Sequence, residues 1–147
     1  MPSLTVVVVD DEPDYREIVR FLLLSLLDVV TVVGEAADGE EALAVVLRER
    51  PDIVITDLMM PRLDGVELTR RIRQELPLTM VVLMSSYPED AYRLMASDSG
   101  ADAVVSKRVI HDALVPAILD LIRRISGGSG AFPPGAGAPT DSAAWPK

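Results

Sequence analysis

The chain has 147 residues, enough for one domain with a substantial hydrophobic core. Its formal net charge of −9 opposes binding to nucleic acid or to an anionic membrane surface, so we expect neither as a direct partner. The sequence has no cysteine, which excludes disulfides and thiolate metal sites. The N-terminus lacks signal-peptide features, and the most apolar stretch, residues 21 to 33, is interrupted by Asp28 and is too short to span a bilayer. We therefore expect a cytoplasmic protein.

Short apolar runs alternate with helix-length segments over residues 4 to 125. The runs are rich in Val and Ile and lack strict polar alternation, as expected of strands covered on both faces. They lie at 4 to 9, 29 to 36, 52 to 56, 79 to 84 and 102 to 105. The predicted helices lie at 13 to 27, 39 to 49, 64 to 75, 88 to 98 and 111 to 125. This alternation predicts an α/β fold, with five βα units around a parallel sheet.

Capping residues mark the starts of three predicted helices. Asp38, Asp64 and Ser86 are each followed three positions later by Glu, a pattern that caps a helix N-terminus. In the last predicted helix, the helical periodicity places Asp120 and Arg124 on the face that we expect to meet solvent.

The composition changes after residue 125. Residues 126 to 147 contain no Ile, Leu, Val or Met and are mostly Gly, Pro, Ala and Ser. Such a segment cannot build an apolar core. We therefore predict one domain over residues 1 to 125 and a disordered tail or linker over residues 126 to 147.

Polar residues stand where four of the predicted strands end. Asp10 and Asp11 follow the first strand and Asp57 the third, while Ser85 and Lys107 follow the fourth and fifth. Because the carboxyl ends of parallel strands meet at one edge of a sheet, we expect these side chains to converge. Clustered carboxylates need a cation, and oxygen ligands favour Mg²⁺. With the ammonium and the hydroxyl, such a site would surround one phosphoryl group, which a carboxylate can accept as a covalent nucleophile.

Other interpretations account for fewer of these residues. The pair Asp10 and Asp11 alone fits a helix cap, but this leaves the other strand-end residues without a role. A haloacid-dehalogenase-type phosphatase also uses an aspartyl nucleophile at a strand end, but it needs a second Asp two residues later, where this chain has Met59. A dinucleotide-binding enzyme needs a glycine-rich first turn, whereas the first strand here runs directly into acidic residues.

Several stretches of the sequence resemble the receiver domain of bacterial two-component response regulators. The resemblance covers about residues 4 to 125 in the order typical of the family, with 28 residues from Asp57 to Ser85 and 50 from Asp57 to Lys107. It implies a flavodoxin-like fold with strand order 2-1-3-4-5, in which the first and third strands are neighbours. The matching stretches are VVVVDDEPDYR (6 to 16), PDIVITDLMMPRLDG (51 to 65), VVLMSSY (81 to 87) and GADAVVSK (100 to 107).

The resemblance implies a metal site formed by three acids and one backbone carbonyl. Asp10 and Asp11 correspond to the acidic pair that holds Mg²⁺ in the family, with Asp11 as the direct ligand and Asp10 acting through water. Asp57 also contributes to this site. The backbone carbonyl of Met59 completes the protein ligands.

The resemblance also implies how a phosphoryl group is received. Asp57 is the expected phosphoacceptor, Ser85 the hydroxyl that moves to meet the phosphoryl group, and Lys107 the cation that pairs with it. Three positions before this lysine the family usually has Tyr or Phe, but this chain has Val104. The usual coupling of the site to the surface through an aromatic ring is therefore not expected here.

The implied function is that of a stand-alone signalling domain, which is not an enzyme but assists its own phosphorylation and dephosphorylation. The expected partners are a sensor histidine kinase or a histidine phosphotransfer protein, a downstream protein target, and a second copy in a phosphorylation-dependent homodimer. We interpret Phe21 and Leu24, on the outer face of the first helix, as part of the kinase docking patch. Met59 and Tyr87 are expected to shield the phosphorylated state from water and so prolong it. The alternative is the receiver half of a DNA-binding transcriptional regulator whose output domain is missing from this sequence.

Overall fold

Five parallel strands form one sheet in the order β2-β1-β3-β4-β5. This computed structural model describes residues 3–86 and 99–127. The predicted α/β fold and the flavodoxin-like strand order are confirmed. The strands are β1 (Leu4–Val9), β2 (Val30–Ala36), β3 (Ile53–Asp57), β4 (Met80–Ser85) and β5 (Ala103–Ser106).

Helices connect the strands and cover the sheet. They are α1 (Pro13–Leu23), α2 (Gly39–Glu49), α3 (Gly65–Glu75) and a C-terminal helix (Ile110–Gly127). The last turn predicted for α1 tightens into a 3₁₀ helix over Leu24–Leu26, and a second 3₁₀ helix spans Lys107–Val109. The helix predicted at 88 to 98 lies outside the described residues, as do the capping contact of Ser86 with Glu89 and the predicted tail from residue 128 onward.

The two faces of the sheet bury separate hydrophobic clusters. Val6 and Val8 point into a cluster with α1 and the C-terminal helix, whereas Val7 and Val9 point into a cluster with α2 and α3. Successive side chains of a strand point to opposite faces, so a sheet covered on both sides needs continuous apolar runs. Among the described residues, no helix is long and apolar enough to cross a membrane.

The predicted caps of α2 and α3 are present. Asp38 Oδ1 accepts a hydrogen bond from the backbone N–H of Glu41 at 2.8 Å, and Asp64 Oδ1 accepts one from Glu67 at the same distance. These bonds satisfy helix N–H groups that have no partner within the helix. The two acids therefore have structural roles.

The prediction that Asp120 faces solvent is wrong. Its side chain is buried and pairs with Arg124, whose Nη2 lies 2.9 Å from Asp120 Oδ2. Ala113 and Ala117 precede Asp120 on the same side of the helix, and both are buried. Because residues three and four apart share a helix face, the buried stripe extends past the large apolar residues to include the acid.

Candidate functional site

Strand register brings the predicted site residues to one edge of the sheet. Asp57 is the last residue of β3 and pairs with Met84, so Ser85 lies one position further along the neighbouring strand. Ser85 pairs with Ser106 of β5, and Lys107 follows directly. The carboxyl ends of β3, β4 and β5 are therefore level, as the sequence predicted.

Three carboxylates converge beside this edge. One potential ligand oxygen each from Asp10, Asp11 and Asp57 lies within 4.8 Å of the other two. Asp10 and Asp57 are buried, whereas Asp11 is exposed to solvent. An all-oxygen site that is open on one side suits a hard cation that keeps part of its water shell, as Mg²⁺ does. The donor set therefore fits the predicted metal.

Lys107 binds two of these acids. Its Nζ lies 2.7 Å from Asp10 Oδ2 and 3.3 Å from Asp57 Oδ2, and only 10% of its side chain is exposed. Burial by itself lowers the pKa of Lys107, but the hydrogen bond with Asp10 and the charge of Asp57 raise the pKa above its ordinary value. The site therefore contains a permanently charged ammonium group.

Asp57 has an unusual protonation equilibrium. Burial, reinforced by the negative charge of Asp10, raises the pKa of Asp57 from 3.8 to about 6, although Lys107 acts in the opposite direction. The backbone N–H of Met59, at 3.5 Å from Asp57 Oδ1, also favours the charged carboxylate but only weakly. The positive charge of Lys107 therefore does not fully compensate the negative charge of the acidic cluster. A divalent cation would supply the missing positive charge.

Asp10 is held in place by two hydrogen bonds from the N-terminal end of α1. Its Oδ1 accepts a hydrogen bond from the backbone N–H of Glu12 at 2.9 Å, and its backbone carbonyl accepts one from Arg16 Nη1 at 2.6 Å. Arg16 in turn pairs with Glu35 of β2, with Nε and Oε1 at 3.1 Å. The arginine thus links the acid to the edge strand, a role that the sequence analysis did not identify.

Tyr15 is a second site residue that the sequence analysis missed. Its ring centroid lies 4.1 Å from Lys107 Nζ, and its hydroxyl lies 3.5 Å from the backbone carbonyl of Lys107. Tyr15 follows the acidic pair at helical spacing from Val19 and Leu22, which places it on the inner face of α1. An aromatic residue at this position was the signal available in the sequence.

The remaining predicted residues have different surroundings. Ser85 is buried at the end of β4, whereas the side chain of Met59 is 47% exposed beside Asp57. Val104 is buried in the cluster with α2 and α3. Tyr87 lies outside the described residues, so its predicted shielding role stays a prediction.

Comparison with known proteins identifies the family. The response regulator receiver domain family matches residues 6–119. The response regulator protein VraR of Staphylococcus aureus is 35% identical over 135 residues, which cover 90% of this chain and 61% of VraR. This chain therefore spans about three fifths of the length of that curated relative.

Solved structures agree with this assignment. The signal receiver domain of the response regulator NarL from Mycobacterium tuberculosis is 38% identical, with a TM-score of 0.76 over 84% of this chain and 99% of that chain. A structure of the response regulator RcsB from Salmonella typhimurium, described in terms of conformational dynamism for DNA interaction, is 26% identical, with a TM-score of 0.74 over 84% of this chain and 63% of that chain. Receiver domains are signalling domains rather than conventional enzymes. The chain belongs to the response regulator receiver domain family.

Proposed function

We propose that Asp57 accepts a phosphoryl group from the phosphohistidine of a sensor kinase or phosphotransfer protein. A carboxylate oxygen of Asp57 attacks phosphorus, and the phosphorus–nitrogen bond of the donor breaks. The electron pair of that bond stays on the ring nitrogen, and the proton on the other ring nitrogen keeps the departing imidazole neutral. The observation that carries this proposal is the placement of Asp57 at a strand end, between a buried ammonium group and two further acids.

Lys107 and Ser85 would bind the transferred group. The ammonium of Lys107 already lies 3.3 Å from Asp57 Oδ2, close enough to pair with a phosphoryl oxygen attached to that carboxylate. Ser85 ends the adjacent strand and offers a hydroxyl at the same edge. Preorganised donors of this kind stabilise charge that develops on the phosphoryl oxygens. In this way the domain would assist its own phosphorylation and dephosphorylation.

Mg²⁺ is the proposed cofactor. Asp10, Asp11 and Asp57 would hold it together with the backbone carbonyl of Met59, with Asp11 as the direct ligand of the acidic pair. When bound, the ion would neutralise carboxylate charge and stabilise the phosphoryl oxygens. The raised pKa of Asp57 supports the need for such a cation.

The phosphoacceptor can be tested by intact mass. We expect the wild type to gain one phosphoryl group from a small-molecule phosphodonor with Mg²⁺, and Asp57→Asn to gain none. Asp28→Asn is the matched control, because Asp28 is an exposed acid that precedes β2 and so lies away from the carboxyl ends of the strands. A phosphoryl adduct that persists in Asp57→Asn would assign the acceptor to another residue.

The proposed docking patch for the phosphodonor protein lies on α1 and the turn that follows. Phe21 is 67% exposed and Leu24 is 58% exposed, so two large apolar side chains meet solvent on this segment. We expect Leu24→Glu to slow phosphorylation by the cognate kinase but not by a small-molecule donor. Leu78→Glu is the control, because Leu78 is 92% exposed and belongs to the segment between α3 and β4, outside the proposed patch. Equal kinase rates for both variants would contradict the patch.

Signal output is proposed to pass through protein contacts in the cytoplasm, including a phosphorylation-dependent homodimer. The second candidate is the receiver part of a DNA-binding regulator, favoured by the partial coverage of VraR and RcsB. The reading frame of the complete gene distinguishes the two. A stop codon directly after Lys147 supports the stand-alone receiver, whereas a following DNA-binding domain supports the second candidate.

A further inference from the structure

Lys107 Nζ contacts an aromatic ring in addition to its two carboxylates. The ring of Tyr15 has its centroid 4.1 Å from Nζ, while Asp10 Oδ2 and Asp57 Oδ2 lie at 2.7 Å and 3.3 Å. A cation within about 6 Å of an aromatic ring centroid is attracted by the negative face of the ring. The ammonium group is therefore held by two different elements, since Tyr15 belongs to α1 and Asp57 to β3.

The Tyr15 ring also limits the movement of the lysine. A free lysine side chain has many rotamers and a strongly hydrated ammonium group. Here only 10% of the Lys107 side chain is exposed, and the half-buried Tyr15 packs against the cluster between α1 and the C-terminal helix. A ring fixed in this way reduces both the solvent access and the conformational freedom of the ammonium group.

Tyr15 acts through its ring in the neutral form. Burial, reinforced by the charges of Asp10 and Asp57, raises the pKa of the Tyr15 hydroxyl above its ordinary value. The hydroxyl contact with the Lys107 carbonyl is long, at 3.5 Å, and contributes little to the geometry. The aromatic face is therefore the part of Tyr15 that bears on the site.

We propose that Tyr15 is the positioning residue for Lys107, holding its ammonium group where a phosphoryl group on Asp57 would be bound. This inference rests on the proposed phosphoacceptor function. It also gives the site an aromatic contact from α1, while Val104 is buried in the cluster on the other face of the sheet. Removing the ring should release the lysine without removing any carboxylate.

The first test compares two substitutions at Tyr15 by their rate of phosphorylation. With a small-molecule phosphodonor and Mg²⁺, we expect Tyr15→Leu to lower the rate by roughly three- to thirtyfold, the range that corresponds to a partly desolvated cation–π contact. Tyr15→Phe keeps the ring and should stay within about twofold of the wild type, since the lost hydroxyl contact is weak. A Tyr15→Leu protein that reacts at the wild-type rate, or a Tyr15→Phe protein as slow as Tyr15→Leu, would overturn the proposal.

A second test observes the lysine directly. Lys107 and Lys147 are the two lysines of the sequence, so labelling lysine at the ε-carbon gives two NMR signals, with Lys147 as an internal reference. We expect the ε-methylene protons of Lys107 to be shifted upfield by the ring in the wild type and in Tyr15→Phe, and to move downfield in Tyr15→Leu. Equal Lys107 shifts in the wild type and in Tyr15→Leu would contradict the contact between Lys107 and Tyr15. Failure of the wild type to accept a phosphoryl group would instead overturn the proposed function, while the NMR comparison would still decide whether Tyr15 holds Lys107.

Discussion

Lys107 Nζ and Asp10 Oδ2 form a 2.7 Å ion pair at the site, and the Asp10 carboxylate is fully buried. The two residues are 97 positions apart in the chain. A buried charge without its partner is strongly destabilising, so the pair couples the site to the stability of the fold.

Replacement of Lys107 by Met should reveal this coupling. The substitution removes the positive charge and leaves buried carboxylates at Asp10 and Asp57, so we expect the free energy of unfolding to fall by about 3 kcal/mol in metal-free buffer. Urea unfolding measures the change. The double variant Lys107→Met/Asp10→Asn should recover part of the loss, because it removes one of the unpaired charges. Equal stability of the single and double variants would show that the Asp10 charge is not responsible.

The raised pKa of Asp57 predicts a pH dependence of stability. The folded pKa of about 6 lies above the ordinary value of 3.8, so the folded state binds the proton more tightly than the unfolded state. This stabilising contribution is complete below about pH 4 and is lost as the pH rises through 6. Without metal, we therefore expect Asp57→Asn to be more stable than the wild type by about 1–2 kcal/mol at pH 7.5, after allowance for solvent screening.

Urea unfolding at pH 7.5 and pH 4 in the presence of a chelator tests this expectation. The difference between Asp57→Asn and the wild type should be much smaller at pH 4, which is well below the folded-state pKa of about 6 and close to the ordinary value of 3.8. Asp28→Asn serves as the control because Asp28 is exposed. An advantage of Asp57→Asn that is equally large at both pH values would contradict the assigned titration.

Mg²⁺ should stabilise the wild type through the acidic cluster. A ligand that binds only the folded state at ten times its Kd adds about 1.4 kcal/mol to the free energy of unfolding. We expect this gain, measured as an increase in Tm, in the wild type and in Asp28→Asn but not in Asp11→Asn. Asp11 is the most informative ligand to change, because it is exposed and its replacement disturbs the metal-free fold least. An undiminished Mg²⁺ effect in Asp11→Asn would remove this residue from the metal site.

Gly65 is required by the close approach of α3 to the phosphoacceptor strand. A Cβ atom at this position would lie 2.4 Å from the Asp57 carbonyl oxygen and 2.9 Å from Leu58 Cα, so the backbone at the end of β3 would have to move. We expect Gly65→Ala to cost about 2–3 kcal/mol and to slow phosphorylation of Asp57. Gly100→Ala is the comparison, since Gly100 has a φ of 80° but open space around it and should cost about 1 kcal/mol. Denaturant unfolding compares the two costs, and a larger effect at Gly100 would contradict the steric argument.

Met59 is expected to slow hydrolysis of the phosphorylated state. Its exposed side chain lies beside Asp57, and an apolar group there does not orient an attacking water molecule. Substitution by Asn or Glu introduces a polar group able to bind that water, so dephosphorylation should become faster. Decay of the phosphorylated protein, followed by intact mass, measures the rate, with Met59→Leu as the apolar control. No difference between Met59→Asn and Met59→Leu would exclude this role.

The sequence alone placed the candidate site residues at the ends of predicted parallel strands, whereas the strand order was implied by the resemblance to receiver domains. Apolar runs covered on both faces indicate a parallel sheet, and parallel strands place their carboxyl ends together, so Asp57, Ser85 and Lys107 were expected to lie at one edge. The exposure of Phe21 and Leu24 also followed from helical periodicity. The position of a residue at a strand end or on one face of a helix depends on local patterns, which the sequence contains.

Only the tertiary structure decided which groups touch at the site. Periodicity places Tyr15 on the inner face of α1, but its contact with Lys107 depends on how α1 packs beside the end of β5. The burial of Asp120 likewise depends on the width of the packed stripe on the C-terminal helix. Such contacts join residues distant in the chain, and their geometry is set by side-chain packing between elements rather than by the pattern within any one of them.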